Sequence, residues 1–180
     1  MPSGRTHDSI TLWSLPLVCG LSFVCTGNSG FTLLVAGGFL FSGLMFGPDL
    51  DIHSRQYLRW GALRWIWLPY RRSLRHRSLW SHGLLVGTLI RVVYLLVCLG
   101  LLGLLLVILG SLFSLGLGRE ADWNEMIRSS STIGLNFLGH SLQTYPREWL
   151  ALGLGLELGA LSHSLSDWLG SAWKRRAKGK

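Results

Sequence analysis

Four long stretches of this chain are almost free of charge. Ile10–Gly27 and Phe31–Pro48 contain no Asp, Glu, Lys or Arg, and Gly83–Gly118 is broken only by Arg91. A fourth, Trp149–Leu169, is apolar except for Glu157, His163 and Asp167. A bilayer core of about 30 Å takes about 20 residues of helix, with about 17 as the lower limit. Val92–Gly118 alone satisfies this, the first two runs lie near the limit, and the fourth holds groups that are costly in lipid unless paired. The pattern predicts an all-α integral membrane bundle of about four transmembrane helices, forming one domain over residues 1–173 with a basic tail at 174–180. Gln56–Leu68 is expected to be a short interfacial helix ended by Pro69. Glycines such as Gly20, Gly37, Gly38, Gly43, Gly153, Gly155 and Gly159 suit helices that approach closely within lipid.

Composition sharpens this picture. Only 14% of the 180 residues are charged, against about 25% in an ordinary soluble protein, which leaves too little polar surface to clothe a soluble core. Cys19, Cys25 and Cys98 are odd in number and lie in apolar runs, so a disulfide framework is not expected. The net charge of +8 is unevenly spread. The Arg55–Arg77 segment holds seven arginines and no acid, and the tail adds Lys174, Arg175, Arg176, Lys178 and Lys180. By the positive-inside rule both face the cytoplasm, and Arg119–Glu148, where acids balance bases, is the outside loop. The expected location is therefore the bacterial inner membrane with both termini cytoplasmic. Trp60, Trp65, Trp67, Tyr70 and Trp80 among the arginines suggest a belt at anionic lipid headgroups rather than a grip on nucleic acid, so the bilayer is the expected partner.

The few remaining polar groups carry the chemistry. His7 and Asp8 precede the first run, Asp49, Asp51 and His53 follow the second, His76 and His82 precede the third, and His163 and Asp167 close the fourth. Singly, each has a plain explanation as a cap, a turn residue or a surface cation. On the topology above, all converge on the cytoplasmic end of one bundle. His163 and Asp167, four apart, share a helix face, and Asp49 and Asp51 would lie on one side of an extended segment. His76 and His82, six apart, would diverge by about 120° on one helix, so the chain must turn between them, with Trp80-Ser81 as the expected place. Imidazole and carboxylate without cysteine favour zinc first, then manganese, iron or magnesium, with one or two ions per chain. The expected metal ligands are His7, Asp49, Asp51, His82, His163 and Asp167; His76 and Asp8 are the expected catalytic acid–base residues. Arg77 and Arg91 are the expected substrate contacts, although Arg91 could instead pair with Glu157.

Gly4-Arg5-Thr6-His7-Asp8, Pro48-Asp49-Leu50-Asp51, Arg59-Trp60-Gly61, Pro69-Tyr70-Arg71 and His76-Arg77-Ser78-Leu79-Trp80-Ser81-His82-Gly83 together resemble an uncharacterised family of small bacterial membrane proteins described as metal-binding. More distantly, the paired histidines, the Pro-Asp-x-Asp exit and the late His-x-x-x-Asp resemble the YdjM-type inner-membrane metal-dependent hydrolases, which have Thr where this chain has Ser81. The resemblance implies a metal site and hydrolysis without naming a substrate. The expected function is a metal-dependent hydrolase at the cytoplasmic membrane face, acting on an anionic, phosphate- or lipid-containing substrate. Its rival is a non-catalytic metal-binding membrane protein: a sensor, scaffold or carrier. A carrier should hold its ligands near the midplane, whereas these gather at one rim.

Overall fold

The computed structural model describes residues 3–118 and 123–178, and the described residues contain helices and no strand. Helix α1 (Gly4–Thr26) begins at Ser3, whose side chain accepts the Thr6 amide, and ends at Gly27, whose φ of 60° is open to glycine at little cost. Asn28 immediately caps α2 (Ser29–Leu44) by accepting the Phe31 amide at 3.1 Å. Two residues thus turn the chain back on itself, and α1 and α2 form an antiparallel hairpin.

Beyond α2 the backbone tightens into a 3₁₀ turn over Pro48–Asp51, followed by α3 (Arg55–Leu58), a 3₁₀ segment over Gly61–Trp67, α4 (Leu68–Ser73) and α5 (Leu79–His82). The single interfacial helix expected over Gln56–Leu68 is therefore split. Pro69 opens α4 rather than ending a helix, since the first turn needs no amide donor there. Part of the aromatic belt is a core. Trp67 is fully buried with Trp60, Phe46 and Tyr70 around it, whereas Trp65 and Trp80 are exposed. Buried Gln56 ties this cap to the bundle by donating to the Gly43 carbonyl and accepting the Asp49 amide.

The long helices α6 (Val86–Gly116), α7 (Trp123–Thr144) and α8 (Pro146–Lys178) complete the chain. The outside loop expected over Arg119–Glu148 is helical across Trp123–Thr144, and its residues 119–122 lie outside the described residues. Likewise α8 runs through most of the expected tail, of which residues 179–180 lie outside the described ones. Among the described residues three segments are long and apolar enough to cross a membrane: Gly4–Thr26, Ser29–Asp51 and Val86–Gly116. The fourth expected span lies within α8, which is long enough but carries Arg147, Glu148, Glu157 and Asp167 along with its basic end. Many apolar side chains of α1 and α6, among them Leu12, Trp13, Leu17, Leu89 and Leu101, are exposed.

The chain divides into two compact units, Met1–Val92 with Arg147–Lys180, and Val93–Pro146. In the second, buried Ser111 of α6 hydrogen-bonds the Val107 carbonyl and the Met126 sulfur of α7. In the first, backbones meet because side chains are missing. A Cβ on Gly38 would lie 2.7 Å from the Leu152 carbonyl, one on Gly159 would lie 2.5 Å from that of Phe39, and one on Gly155 would overlap that of Val35. The order of these contacts makes α2 and α8 parallel. Gly43 similarly admits Thr11, whose Cγ2 would lie 2.5 Å from an added Cβ. By contrast Gly20, Gly37 and Gly153 have open space where a Cβ would go, so they do not serve the close packing expected of them.

Candidate metal centre

Small residues bring three helices together, and the next turn of each delivers a polar group. On α8 the stripe runs Gly155, Gly159, His163, Asp167 at four-residue spacing, so the face that touches α2 also presents the imidazole and carboxylate. On α1, Thr11 sits against Gly43 and donates to the carbonyl of His7, one turn earlier. Asp49 and Asp51 arrive on the 3₁₀ turn after α2, and His76 and His82 arrive on the loop before α5 and on its last residue.

All seven groups meet in the first unit. His7 and His163 stack with centroids 3.9 Å apart, His163 Nε2 lies 3.3 Å from Asp49 Oδ1, and His7 Nε2 lies 3.3 Å from Asp167 Oδ1. His82 Nε2 is 3.8 Å from Asp49 Oδ1, while its Nδ1 is 3.8 Å from Asp51 Oδ2. His76 Nδ1 is 2.9 Å from Asp51 Oδ1. Two overlapping groups can converge on a cation: Asp49, His82, His163 and Asp167, and Asp51, His76 and His82, each with ligand atoms within 4.8 Å of one another.

Hydrogen-bond accounting shows what this cluster suits. Asp49 Oδ1, Asp51 Oδ2, Asp167 Oδ1 and the Nε2 atoms of His76, His82 and His163 are buried without a hydrogen-bond partner. Buried polar atoms are ordinarily satisfied, and leaving one unpaired costs about 1–3 kcal/mol. Acceptors gathered in these two overlapping groups fit a divalent cation, which would satisfy the members of a group together.

Three of the rings, those of His7, His76 and His82, are tied down at the opposite nitrogen, whereas His163 Nδ1 is buried without a hydrogen-bond partner as well. Ser166 Oγ donates to the His163 carbonyl at 2.8 Å, so it accepts the His7 Nδ1 proton at 2.8 Å. Ser81 Oγ donates to the Arg75 carbonyl at 3.2 Å and accepts the His82 Nδ1 proton at 2.9 Å. Asp51 accepts that of His76. In these three rings the proton sits on Nδ1 and the lone pair on Nε2, the tautomer a ligand or base needs. Burial, the largest influence on His82, outweighs the neighbouring carboxylates and pushes its pKa down to about 4, which keeps this imidazole neutral at neutral pH.

Ser81 and Ser166 were not anticipated as contributors, though both stand beside a site residue in sequence, at Ser81-His82 and Ser166-Asp167. Metal affinity is expected to fall about 10–100-fold in Ser81→Ala and in Ser166→Ala and to return in the Thr variants, as read by competition with a chromogenic chelator. Unchanged affinity in both Ala variants would remove them from the site.

Other expected residues are engaged differently. Both oxygens of Asp8 are held by guanidiniums, those of Arg59 at 2.8 and 2.7 Å and Arg55 at 2.7 Å. With both oxygens so engaged, Asp8 pins α1 to Arg55 and Arg59 at the ends of α3, in place of the catalytic role expected of it. Arg91 is buried, donates to the Ser81 carbonyl at 2.9 Å and Thr88 Oγ1 at 3.0 Å, and so braces the α5 turn rather than meeting a substrate. Glu157 forms no ion pair with it within 4.0 Å among the described residues, and accepts the Leu85 amide at 2.8 Å instead. Asp49 and Asp51, expected side by side on an extended exit, leave a 3₁₀ turn toward different groups. The positive-φ turn between His76 and His82 lies at Arg77, with φ at 61°, rather than at Trp80-Ser81, which are inside α5, and His82 is the last residue of that helix rather than its start. Arg77 itself reaches Asp167 Oδ2 at 3.3 Å. His53 is exposed and lines, with Asp49, His163 and Asp167, a cavity of about 290 Å³ that opens onto the donors.

No solved structure matches the chain. A protein of Aquifex aeolicus (strain VF5) bearing the description "Uncharacterized protein" is 37% identical over 59 residues, which are 32% of this chain and 41% of that relative, so the match spans less than half of the relative's length. Residues 2–177, which contain every donor described above, match the family described as "Uncharacterized metal-binding protein (DUF2227)", and the chain belongs to that metal-binding family.

Proposed function

We propose that this metal-binding protein is a membrane-bound, metal-dependent hydrolase working at the cytoplasmic face of a bacterial inner membrane on an anionic, phosphate- or lipid-containing substrate. The observation that carries it is the Asp51–His76 pair: a 2.9 Å hydrogen bond leaves His76 Nε2 buried, unpartnered and beside the donor cluster, with the His76 and His82 centroids 5.0 Å apart. His7, Asp49, His82, His163 and Asp167 would hold the ion, zinc being the first choice for nitrogen and oxygen donors. A bound divalent ion would lower the pKa of water and polarise a phosphoryl oxygen. His76 Nε2 takes the proton of the attacking water as its oxygen bonds to phosphorus, and Asp51 stabilises the resulting imidazolium. As the ester P–O bond breaks on the opposite side of phosphorus, the leaving oxygen takes a proton from solvent, and His76 then gives up its own to solvent to restore the base.

For the membrane, the support is the three apolar helices together with α8, which runs beside α2 with backbones in contact. The surplus of arginine around the site favours the cytoplasmic side and an anionic substrate. Reporter fusions at Lys180 and Glu125 should report inside and outside respectively. Metal-loaded protein should hydrolyse p-nitrophenyl phosphate or its bis-ester, and His76→Ala should keep its metal while turnover falls about 10²–10⁴-fold. Metal-loaded protein that cleaves neither ester would leave the non-catalytic sensor, scaffold or carrier as the reading, and undiminished turnover in His76→Ala would remove His76 from the reaction.

A further inference from the structure

A second cavity, of about 320 Å³, reaches the donor cluster from another side, and His82 and Asp167 belong to its wall. The rest of the wall differs in character from that of the first cavity. Arg77 and Arg175 supply two guanidiniums, Ser164 and Ser171 two hydroxyls, and Trp168 an indole. On α8 the positions 164, 168, 171 and 175 recur at helical spacing, so one face is polar and basic for almost three turns beside the site.

We propose that this cleft binds the phosphate group of the substrate and holds it against the donor cluster. The inference rests on the hydrolase reading above and adds where the anion sits. A guanidinium fork matches a phosphate with two parallel hydrogen bonds, and serine hydroxyls complete the remaining oxygens. The single carboxylate on the wall, Asp167, already meets Arg77 through Oδ2 and turns Oδ1 toward His7. Its charge is therefore shared between a guanidinium and the metal donors, and Arg175 leaves the cleft with a positive surplus. Arg77 is held at a positive φ of 61°, a conformation that L side chains rarely adopt, and such strain clusters at functional sites. Arg175 lies two turns beyond Asp167 on α8 and was read in the sequence only as part of a basic tail. Trp168 is 62% exposed and Trp173 76%, a pattern of the headgroup depth at which a lipid phosphate would present itself.

The test uses the full-length, metal-loaded protein in detergent, with inorganic phosphate as the soluble probe and short-chain phosphatidic acid as the lipid probe, by titration calorimetry. Arg175→Gln is the cleaner variant because Arg77 also touches a metal donor, and Arg128→Gln controls for loss of one positive charge. Metal content is measured on every sample. Binding is expected to weaken about 10-fold or more in Arg175→Gln and further in the double variant with Arg77→Gln, at unchanged metal content in Arg175→Gln and with Arg128→Gln like wild type. Weakening for both probes with tighter binding of phosphatidic acid assigns a lipid phosphate; weakening for inorganic phosphate alone assigns a soluble one. Binding of neither probe by wild type, equal affinity in the double variant, or an equal loss in Arg128→Gln overturns the cleft. Phosphate binding lost in Arg175→Gln without ester hydrolysis by wild type would overturn the hydrolase reading and leave the cleft standing.

Discussion

Asp167→Ala and His163→Ala proteins are expected to emerge from purification with their divalent metal lost, whereas wild type carries it in stoichiometric amount. His163 is 3% exposed and Asp167 5%, and each presents buried atoms without a hydrogen-bond partner. Removing a partner that merely orients a ligand costs about 10–100-fold in affinity, so removing a ligand should exceed about 100-fold. The comparison that gives this meaning is Asp8→Ala. Asp8 lies only one residue from His7, but Arg55 and Arg59 hold its carboxylate, so that variant should keep its metal. Metal analysis of the three variants beside wild type decides the matter. A wild type without metal, or retention by both site variants, would refute the centre. Chelation should also lower the melting temperature of wild type, because a ligand that binds the folded state at 1,000 times its Kd contributes about 4 kcal/mol.

The second large effect is expected far from any donor atom. Gly159→Leu should unfold the first unit or strip its metal, while Gly153→Leu should do neither. A Cβ at residue 159 would sit 2.5 Å from the Phe39 carbonyl and 2.8 Å from Ser42 Cβ, and backbone cannot swing aside as a flexible side chain can. Overpacking of this kind costs about 1–3 kcal/mol or more when it can be relieved by shifts. Here the relief is to push α8 away from α2, and His163 lies one turn further along the same face, so the metal donors separate together. Gly153 has open space within 4 Å, and leucine there should not destabilise, since helix propensity favours it over glycine by up to about 1 kcal/mol. Thermal melts in detergent with metal analysis check both, and a Gly159→Leu protein with wild-type melting and metal would show that the close contact does not position the site.

These two outcomes draw on different kinds of legibility. The donors were readable because the chain has so few of them: in a protein with nine acids and six histidines, a residue such as Asp49 or His163 kept beside an apolar run stands out. Their use was less readable. Asp8 and His7 are neighbours in sequence, yet one faces the arginines of α3 and the other Asp167, a division set by which side of α1 meets which helix. Arg91 looked available for an anion because sequence cannot tell that Ser81 and Thr88 have acceptors within its reach. Trp67 looked like part of a membrane belt, and only packing with Phe46 and Trp60 makes it core. The helix across Trp123–Thr144 was missed because its mixed polarity mimics a loop when charge alone is counted.

The shortage of charge that marks this chain determined by itself that the fold is helical, that long apolar helices dominate, and that only a few imidazoles and carboxylates are present to build a site. Those properties follow from hydropathy and helical spacing, which are local. Tertiary structure alone decided which of these groups meet, because convergence depends on glycine faces that let α1, α2 and α8 approach and on the Arg77 turn that brings His76 to His82. It also decided the tautomers, since Ser81, Ser166 and Asp51 reach ring nitrogens only once their elements are packed. A metal site needs lone pairs aimed at one point, and direction is a property that residue spacing within one element cannot carry across four.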